Sequence, residues 1–460
     1  MLERPGVGPR GLGENRPPKE FPMLKRRIFL AAGAAVPVVL VAGCGGSVDV
    51  GTRLRLVNAS KAYGALDLWV ENDRERSNVD YGSSSSYLNL DEGGGSYELA
   101  ITRAGASAAL IDESFSLSNG EPHTLLAYGI DGDLQAVLLV EDEDENDIDD
   151  NEALLCLFNA APDAGELDLY LTAADVDLDD ASADIVGASF GEASPFIAVD
   201  KGTWRLRLTA TGDKDDVRLD LSGLVIAEEA ILTFVASATA SGVLVDGVLL
   251  RQDDDVSVLS NTLARVRVVS GIADSSGVDV SVNGNALVTG LPPLTSRPYT
   301  AVTAGSFDLV VEVDGGAVGV PDAGAEAGSD LTVLVYGTSA APAVAVLADD
   351  NSRPTPVETR SKVRLVNAVA GLDGTLALSI GFESLVSGLV YGAASDAIEL
   401  DADTDLTLQV ISTRAGVLFE DTEMALDAGA VYTVFALGAA GDVAVQLVVD
   451  RAAPSSTTST

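Results

Sequence analysis

Histidine and cysteine are nearly missing from this chain of 460 residues, which has one of the first and two of the second. Two cysteines cannot supply a disulfide framework, so the folded parts must be held by their own cores. One histidine with so few thiols cannot assemble a zinc site of the usual nitrogen and sulfur type. Basic residues are also short, 28 Lys and Arg against 70 Asp and Glu, which leaves a formal net charge of -42. Such a surface repels nucleic-acid phosphate and anionic headgroups, excluding direct contact with either unless divalent cations bridge them. The acid excess suits a salty or cation-rich exterior, and serves plain solubility equally well. No glycine-rich phosphate loop, basic aromatic-studded patch or carboxylate pair in a defined cleft stands out.

Hydrophobic residues, at 47%, are plentiful, and the length suits three or four ordinary domains. The first apolar run is an address rather than a fold. From Met23 the chain reads Met-Leu-Lys25-Arg26-Arg27, then an apolar stretch from Ile28 to Val41, then Ala42-Gly43-Cys44-Gly45-Gly46. A basic start, an apolar segment shorter than the ~20 residues of a membrane span, and small residues before a cut make an export signal. Cys44 directly after Val41-Ala42-Gly43 resembles the lipobox of bacterial lipoproteins. That resemblance implies that the Cys44 thiol is lipidated and becomes the new amino terminus. Acyl chains contribute ~0.8 kcal/mol per buried methylene, so two or three of them anchor a protein firmly to the membrane. Gly45 is not the aspartate that retains lipoproteins at an inner membrane, which favours the outer one where two membranes exist. Arg26-Arg27-Ile28-Phe29-Leu30 fits a twin-arginine export core and an ordinary basic start alike. Residues before Met23 read as an upstream extension.

The rest is organised by a recurring stretch, Arg53-Leu54-Arg55-Leu56-Val57-Asn58-Ala59. It returns as Leu154-Leu155-Cys156-Leu157-Phe158-Asn159-Ala160, as Arg265-Val266-Arg267-Val268-Val269-Ser270, and as Val363-Arg364-Leu365-Val366-Asn367-Ala368. Its apolar residues alternate with the period of a strand. A second strand follows each copy, as in Leu66-Asp67-Leu68-Trp69 and Leu167-Asp168-Leu169-Tyr170, and two apolar strands close each unit. About seven short strands per unit predict four antiparallel, immunoglobulin-like β-sandwich modules, each sheet with one buried and one solvated face. The predicted boundaries are an extension plus signal peptide over 1–43, a tether over 44–51, and modules over 52–141, 153–252, 262–349 and 361–451. Linkers occupy 142–152, which is acidic, and 350–360, which contains Pro354 and Pro356; a polar tail covers 452–460. A period close to a whole domain predicts beads on a string rather than a solenoid.

Phe158-Asn159-Ala160-Ala161-Pro162-Asp163-Ala164, followed by Leu167-Asp168-Leu169-Tyr170, is similar to the opening signature of the bacterial domain of unknown function 4397 family. Tyr391-Gly392 with Ser395, and Ala304-Gly305-Ser306-Phe307, resemble its middle. The first and fourth modules lack the Pro-Asp pair. The resemblance implies secreted or lipid-anchored proteins with sandwich modules, and brings no catalytic residues with it.

Four features hint at chemistry. Gly187-Ala188-Ser189-Phe190-Gly191 fits the nucleophile-elbow pattern, yet the lone histidine, His123, lies upstream and no helical pattern follows. Phe190-Gly191 aligns with Tyr81-Gly82 and Tyr391-Gly392, so a repeated turn explains it better. His123 aligns with Leu331 and Tyr432, as a bulky strand position. Cys156 takes the place of Arg55, Arg267 and Arg364, as a buried or edge thiol. Among the acidic clusters, Asp142, Asp144 and Asn146 have the alternate spacing of a calcium loop, but Asp147 replaces its glycine and Ala153 its bidentate glutamate. A looser calcium site there stays open beside the reading of a repelling, solvated spacer, and Asp175, Asp177, Asp179 and Asp180 form a second cluster. The chain thus reads as a non-enzymatic, lipid-anchored envelope protein without a cofactor, serving as spacer, adhesion module or scaffold for a protein or glycan. The competing class is a secreted carboxylate-based hydrolase, such as a glycoside hydrolase.

Overall fold

A computed structural model of the chain describes residues 51–453 apart from 91–93, 142, 146–147, 240–242 and 253–254. Four sandwich modules follow one another, each with two main sheets. In the first module the opening strand Arg53–Asn58 runs parallel to the penultimate strand Pro122–Ile130, which turns back into Asp133–Val140. The facing sheet is formed by Asp73–Asp80, Ala65–Val70, Gly95–Arg103 and Ala109–Leu117 in that spatial order. Leu54, Leu56, Leu66, Leu68, Leu99, Ile101 and Leu125 meet between the sheets, all fully buried. Strands repeat this plan because alternate side chains point to opposite faces and the apolar set can be buried only by a second sheet.

The same parallel pairing of opening and penultimate strands recurs in the other modules. Glu152–Ala160 lies beside Ile231–Ala238, Leu263–Ser270 beside Asp330–Thr338, and Arg360–Asn367 beside Val431–Ala439. The second module gains an extra edge strand, Val256–Leu259, from the segment leading into the third.

Tandem sandwiches are what the repeats predict, but the beads are not separate, and the sheet with the opening strand does not have a solvated face. Val57, Ala59, Leu126 and Tyr128 of the first module form a second core with Phe158, Ala160, Val235, Val248 and Leu250 of the second. Val269 and Leu334 of the third module do the same with Val366, Ala368, Phe435 and Leu437 of the fourth. The physical reason lies in the parity of the opening strands. Leu54 and Leu56 fill the module's own core, while the alternate residues Arg55, Val57 and Ala59 are buried in the seam between modules. A strand covered on both faces is apolar at both parities.

Candidate functional site

The repeated asparagine at the end of the opening strand is a structural clasp. Asn58 Nδ2 donates to the carbonyls of Tyr63 and Val79 at 2.8 and 3.2 Å, while its Oδ1 accepts the Ser60 N–H at 3.1 Å. Asn159 does the same with Gly165, Ala188 and Ala161, and Asn367 bonds Leu389 and Val369. The third module has Ser270 there, whose buried hydroxyl reaches no partner. Asp67 and Asp168 likewise each accept one backbone N–H from an irregularity in the neighbouring strand, at Asn78 and Gly187, and one from a turn, at Gly105 and Gly212, so these second-strand aspartates tie the backbone rather than reach for a ligand.

Ser189 falls in the repeated turn. Gly82, Gly191 and Gly392 there have φ of 71°, 75° and 76° and donate to the carbonyls of Asn58, Asn159 and Asn367. Glycine is needed twice over, since a Cβ on Gly392 would come within 2.6 Å of the Tyr336 ring carbon and one on Gly82 within 1.9 Å of Val258. These turns lie against the sister module, and Phe190 packs on Tyr128 with ring centroids 5.8 Å apart. No helix follows Ser189.

At the centre of each seam an arginine, a threonine and an acid recur. Arg267 Nε donates to Thr332 Oγ1 at 2.7 Å, and Arg364 Nε to Thr433 Oγ1 at 2.9 Å. Each guanidinium then crosses into the other module, Arg267 pairing with Asp450 and Arg364 with Asp349, the latter at 2.5 Å. Thr332 Oγ1 holds Asp349 at 2.6 Å from within its own module, and Thr433 holds Asp450. Tyr299 donates to Asp349 as well, its phenol pushed well above the usual range by burial and then by the Asp349 charge. The Arg267 guanidinium carbon also stands 5.0 Å from the centre of the Phe435 ring. In the first seam Arg55 bonds Thr124 at 2.7 Å and pairs with Glu141 of its own module at 3.0 Å, and its Nη2 donates across the seam to the carbonyl of Arg251 at 3.1 Å.

Cys156 stands in the arginine's place: it faces Thr233 as Arg55, Arg267 and Arg364 face Thr124, Thr332 and Thr433. Its thiol is buried, donates to Thr233 Oγ1 at 3.3 Å, and is pushed up to about 12 chiefly by burial. A thiol so protonated is no nucleophile at neutral pH. His123 faces Leu54 as Leu331 faces Val266 and Tyr432 faces Val363, which is the bulky strand position the alignment predicts. Its Nε2 accepts the Ser118 N–H at 3.0 Å, and burial lowers its pKa, so the ring is a neutral core group.

Nothing in the residue pattern indicates what the Pro-Asp pair of the second module does. Asp163, with its side chain 1% exposed, is clasped by Arg353 of the linker and Arg451 at the end of the fourth module. Beside this clamp a cavity of about 350 Å³ opens between the first, second and fourth modules, lined by Lys61, Asp131, Thr239, Arg353, Lys362 and Arg451. Of the calcium candidates, Asp144 is exposed, while Asp142 and Asn146 lie outside the described residues, as does Cys44. In the other acidic loop Lys214 Nζ binds the carbonyls of Asp179 and Ala181 at 2.9 and 2.7 Å. No group of three or more His, Cys, Asp or Glu side chains among the described residues is arranged to hold a metal ion.

Residues 52–170 and 264–373 each match the model of a family described as Domain of unknown function (DUF4397). The tandem modules match DUF4397. The matched stretches run from the opening strands of the first and third modules past the opening strands of the second and fourth, to residues 170 and 373. No curated protein sequence matches the chain. Chains of known structure that match include a carbohydrate-binding module, CBMbc of family CBM26 from Eubacterium rectale Amy13K, solved in complex with maltoheptaose. It is 10% identical, with 40% of this chain and 96% of that chain covered, at a TM-score of 0.14. The Bacillus anthracis TIE protein is 7% identical, with 82% of this chain and 66% of that one covered, also at 0.14. Similarity at that level carries no argument about the ligand.

Proposed function

We propose that this DUF4397 protein is a non-enzymatic scaffold of the cell envelope, lipid-anchored through Cys44, that binds a protein or glycan through loops and sheet edges. The observation that carries the reading is the use made of its polar interior. The histidine, thiol and serine that hinted at catalysis serve the architecture instead, His123 in a core, Cys156 in a seam and Ser189 in a turn, and Asp163 is held in a clamp. What stays open to a partner is the loops and the junction cavity, where function usually resides on a rigid scaffold. The export signal and lipobox supply the address.

A glycan and protein-surface binding screen on the soluble fragment starting after Cys44 tests the binding half. Specific binding weakened by filling the cavity with Thr239→Trp supports it, and release of sugars from a polysaccharide would overturn it in favour of a carboxylate hydrolase. The anchoring half is tested by Cys44→Ala, which should leave the protein unprocessed or released. Normal cleavage with full membrane retention would remove the lipid anchor from the reading.

A further inference from the structure

Four modules carry four closely related seam faces, yet only two pairings are made, first with second and third with fourth. The faces differ at the arginine and acid positions. By register the sets are Arg55, Thr124 and Glu141; Cys156, Thr233 and Gln252; Arg267, Thr332 and Asp349; Arg364, Thr433 and Asp450. The threonine is kept four times, whereas in the second module the cation and the acid are replaced together by neutral residues.

We propose that these positions form a pairing code, which makes the third and fourth modules fit each other and bars the second from either. The crossed pairs Arg267 with Asp450 and Arg364 with Asp349 each require a charge supplied by the sister face. Were the third module to seat on the second, Arg267 would meet Gln252 and Asp450 would lose its cation. Arg267 would keep its 3.6 Å contact with Asp349 of its own module, but Asp450, its side chain 1% exposed, would be a buried carboxylate without its cation, which is strongly disfavoured, while the matched pair roughly offsets its own desolvation. The first module makes no such demand. Its acid is a glutamate, one methylene longer, which turns back to Arg55 of the same module, and across the seam Arg55 donates to the Arg251 carbonyl, a group every face carries. The seam ions therefore contribute specificity more than stability, through repulsive mismatches that discriminate among near-identical surfaces. Tandem arrays of similar domains are prone to misassembly between neighbours, which is the hazard such a code meets.

The test is refolding of the whole chain after Cys44 from denaturant, read by carboxylate-directed cross-linking with mass spectrometry and by size exclusion. Wild type should return as a monomer with cross-links joining first to second and third to fourth. The neutralised variant Arg267→Met, Asp450→Leu, Arg364→Met, Asp349→Leu should keep its strand content. It should nevertheless show cross-links from the second module to the third or fourth, together with dimers, its monomer yield falling several-fold. A wild-type map from that variant would overturn the code. Should the fourfold change prevent folding, Asp450→Asn and Asp450→Glu decide: Asn should scramble the map and Glu, the acid the first module already uses, should keep it. Identical maps from those two overturn the proposal.

Discussion

Asp163, in the turn after the second module's opening strand, is ion-paired to Arg451, the residue that ends the last strand of the fourth module. Arg353 shares the same carboxylate, and all three side chains are almost wholly buried. The two module pairs are therefore joined by a charge cluster and not by the linker alone. Asp163→Ala would leave two buried guanidinium groups without their carboxylate, and loss of one member of a buried ion pair costs ~3–5 kcal/mol. Denaturant unfolding should show that loss, with small-angle scattering reporting a larger particle as the pairs separate.

Phe435 is fully buried in the seam between third and fourth modules, under Arg267. Phe435→Ala removes both packing and a cation–π contact, and a buried aromatic truncated to alanine costs ~3–5 kcal/mol. In calorimetry the transition that contains these two modules should move down together, since neither can keep the seam closed alone.

The asparagine clasp predicts a loss and a gain. Asn159→Ser should destabilise by ~1–3 kcal/mol, because the Gly165 and Ala188 carbonyls and the Ala161 N–H lose a buried partner. Ser270→Asn in the third module should stabilise by ~1 kcal/mol, since the Leu291 carbonyl stands by strand register where Leu389 accepts from Asn367. Thermal melting of the two variants checks both signs.

His123 gives the acid limb of the pH dependence. Burial lowers its folded pKa below the ordinary ~6.5, so below that pH the unfolded chain takes up a proton that the folded chain refuses. The stability it contributes is complete above ~6.5 and is lost as pH falls toward the folded value. His123→Leu, the residue the third module carries at this register, should flatten that part of the stability profile between pH 7 and 5 relative to wild type.

Cys156 acts in the opposite direction at alkaline pH. Its thiol is raised to about 12 by burial, so the unfolded thiol ionises first, and the native advantage is present below ~8.5 and shrinks as pH climbs toward 12. At neutral pH a thiol reagent should label it only as fast as the first seam opens. Rapid labelling of the native protein would place the side chain at the surface.

The strands and the equivalence of Cys156 with the arginines could be read from the chain because local alternation and the repeat carry them, whereas the parallel pairing of each opening strand, in modules expected to be antiparallel, could not. The seams could not. Arg55, Arg267 and Arg364 alternate with leucine or valine, a pattern that normally means a face in water, and Val57, Phe158, Val269 and Val366 at the same parity contradict it. Asp163 was legible as part of a motif but not as a clamp, since its partners come from a linker and from a strand end far along the chain. Such contacts depend on how modules meet, which alternation within a strand does not encode.

The parallel opening strand has one more consequence. In the third module Arg265, Asp330 and Asp349 lie in one row across the sheet, so the chain comes in at Arg265 and goes out past Asp349 at the same end. Lys362, Val431 and Arg451 repeat this in the fourth. With neighbouring strands ~4.8 Å apart, each module of some ninety residues separates its own ends by only ~10 Å. Successive modules thus add surface for contact far faster than they add distance between the points where the chain enters and leaves each of them.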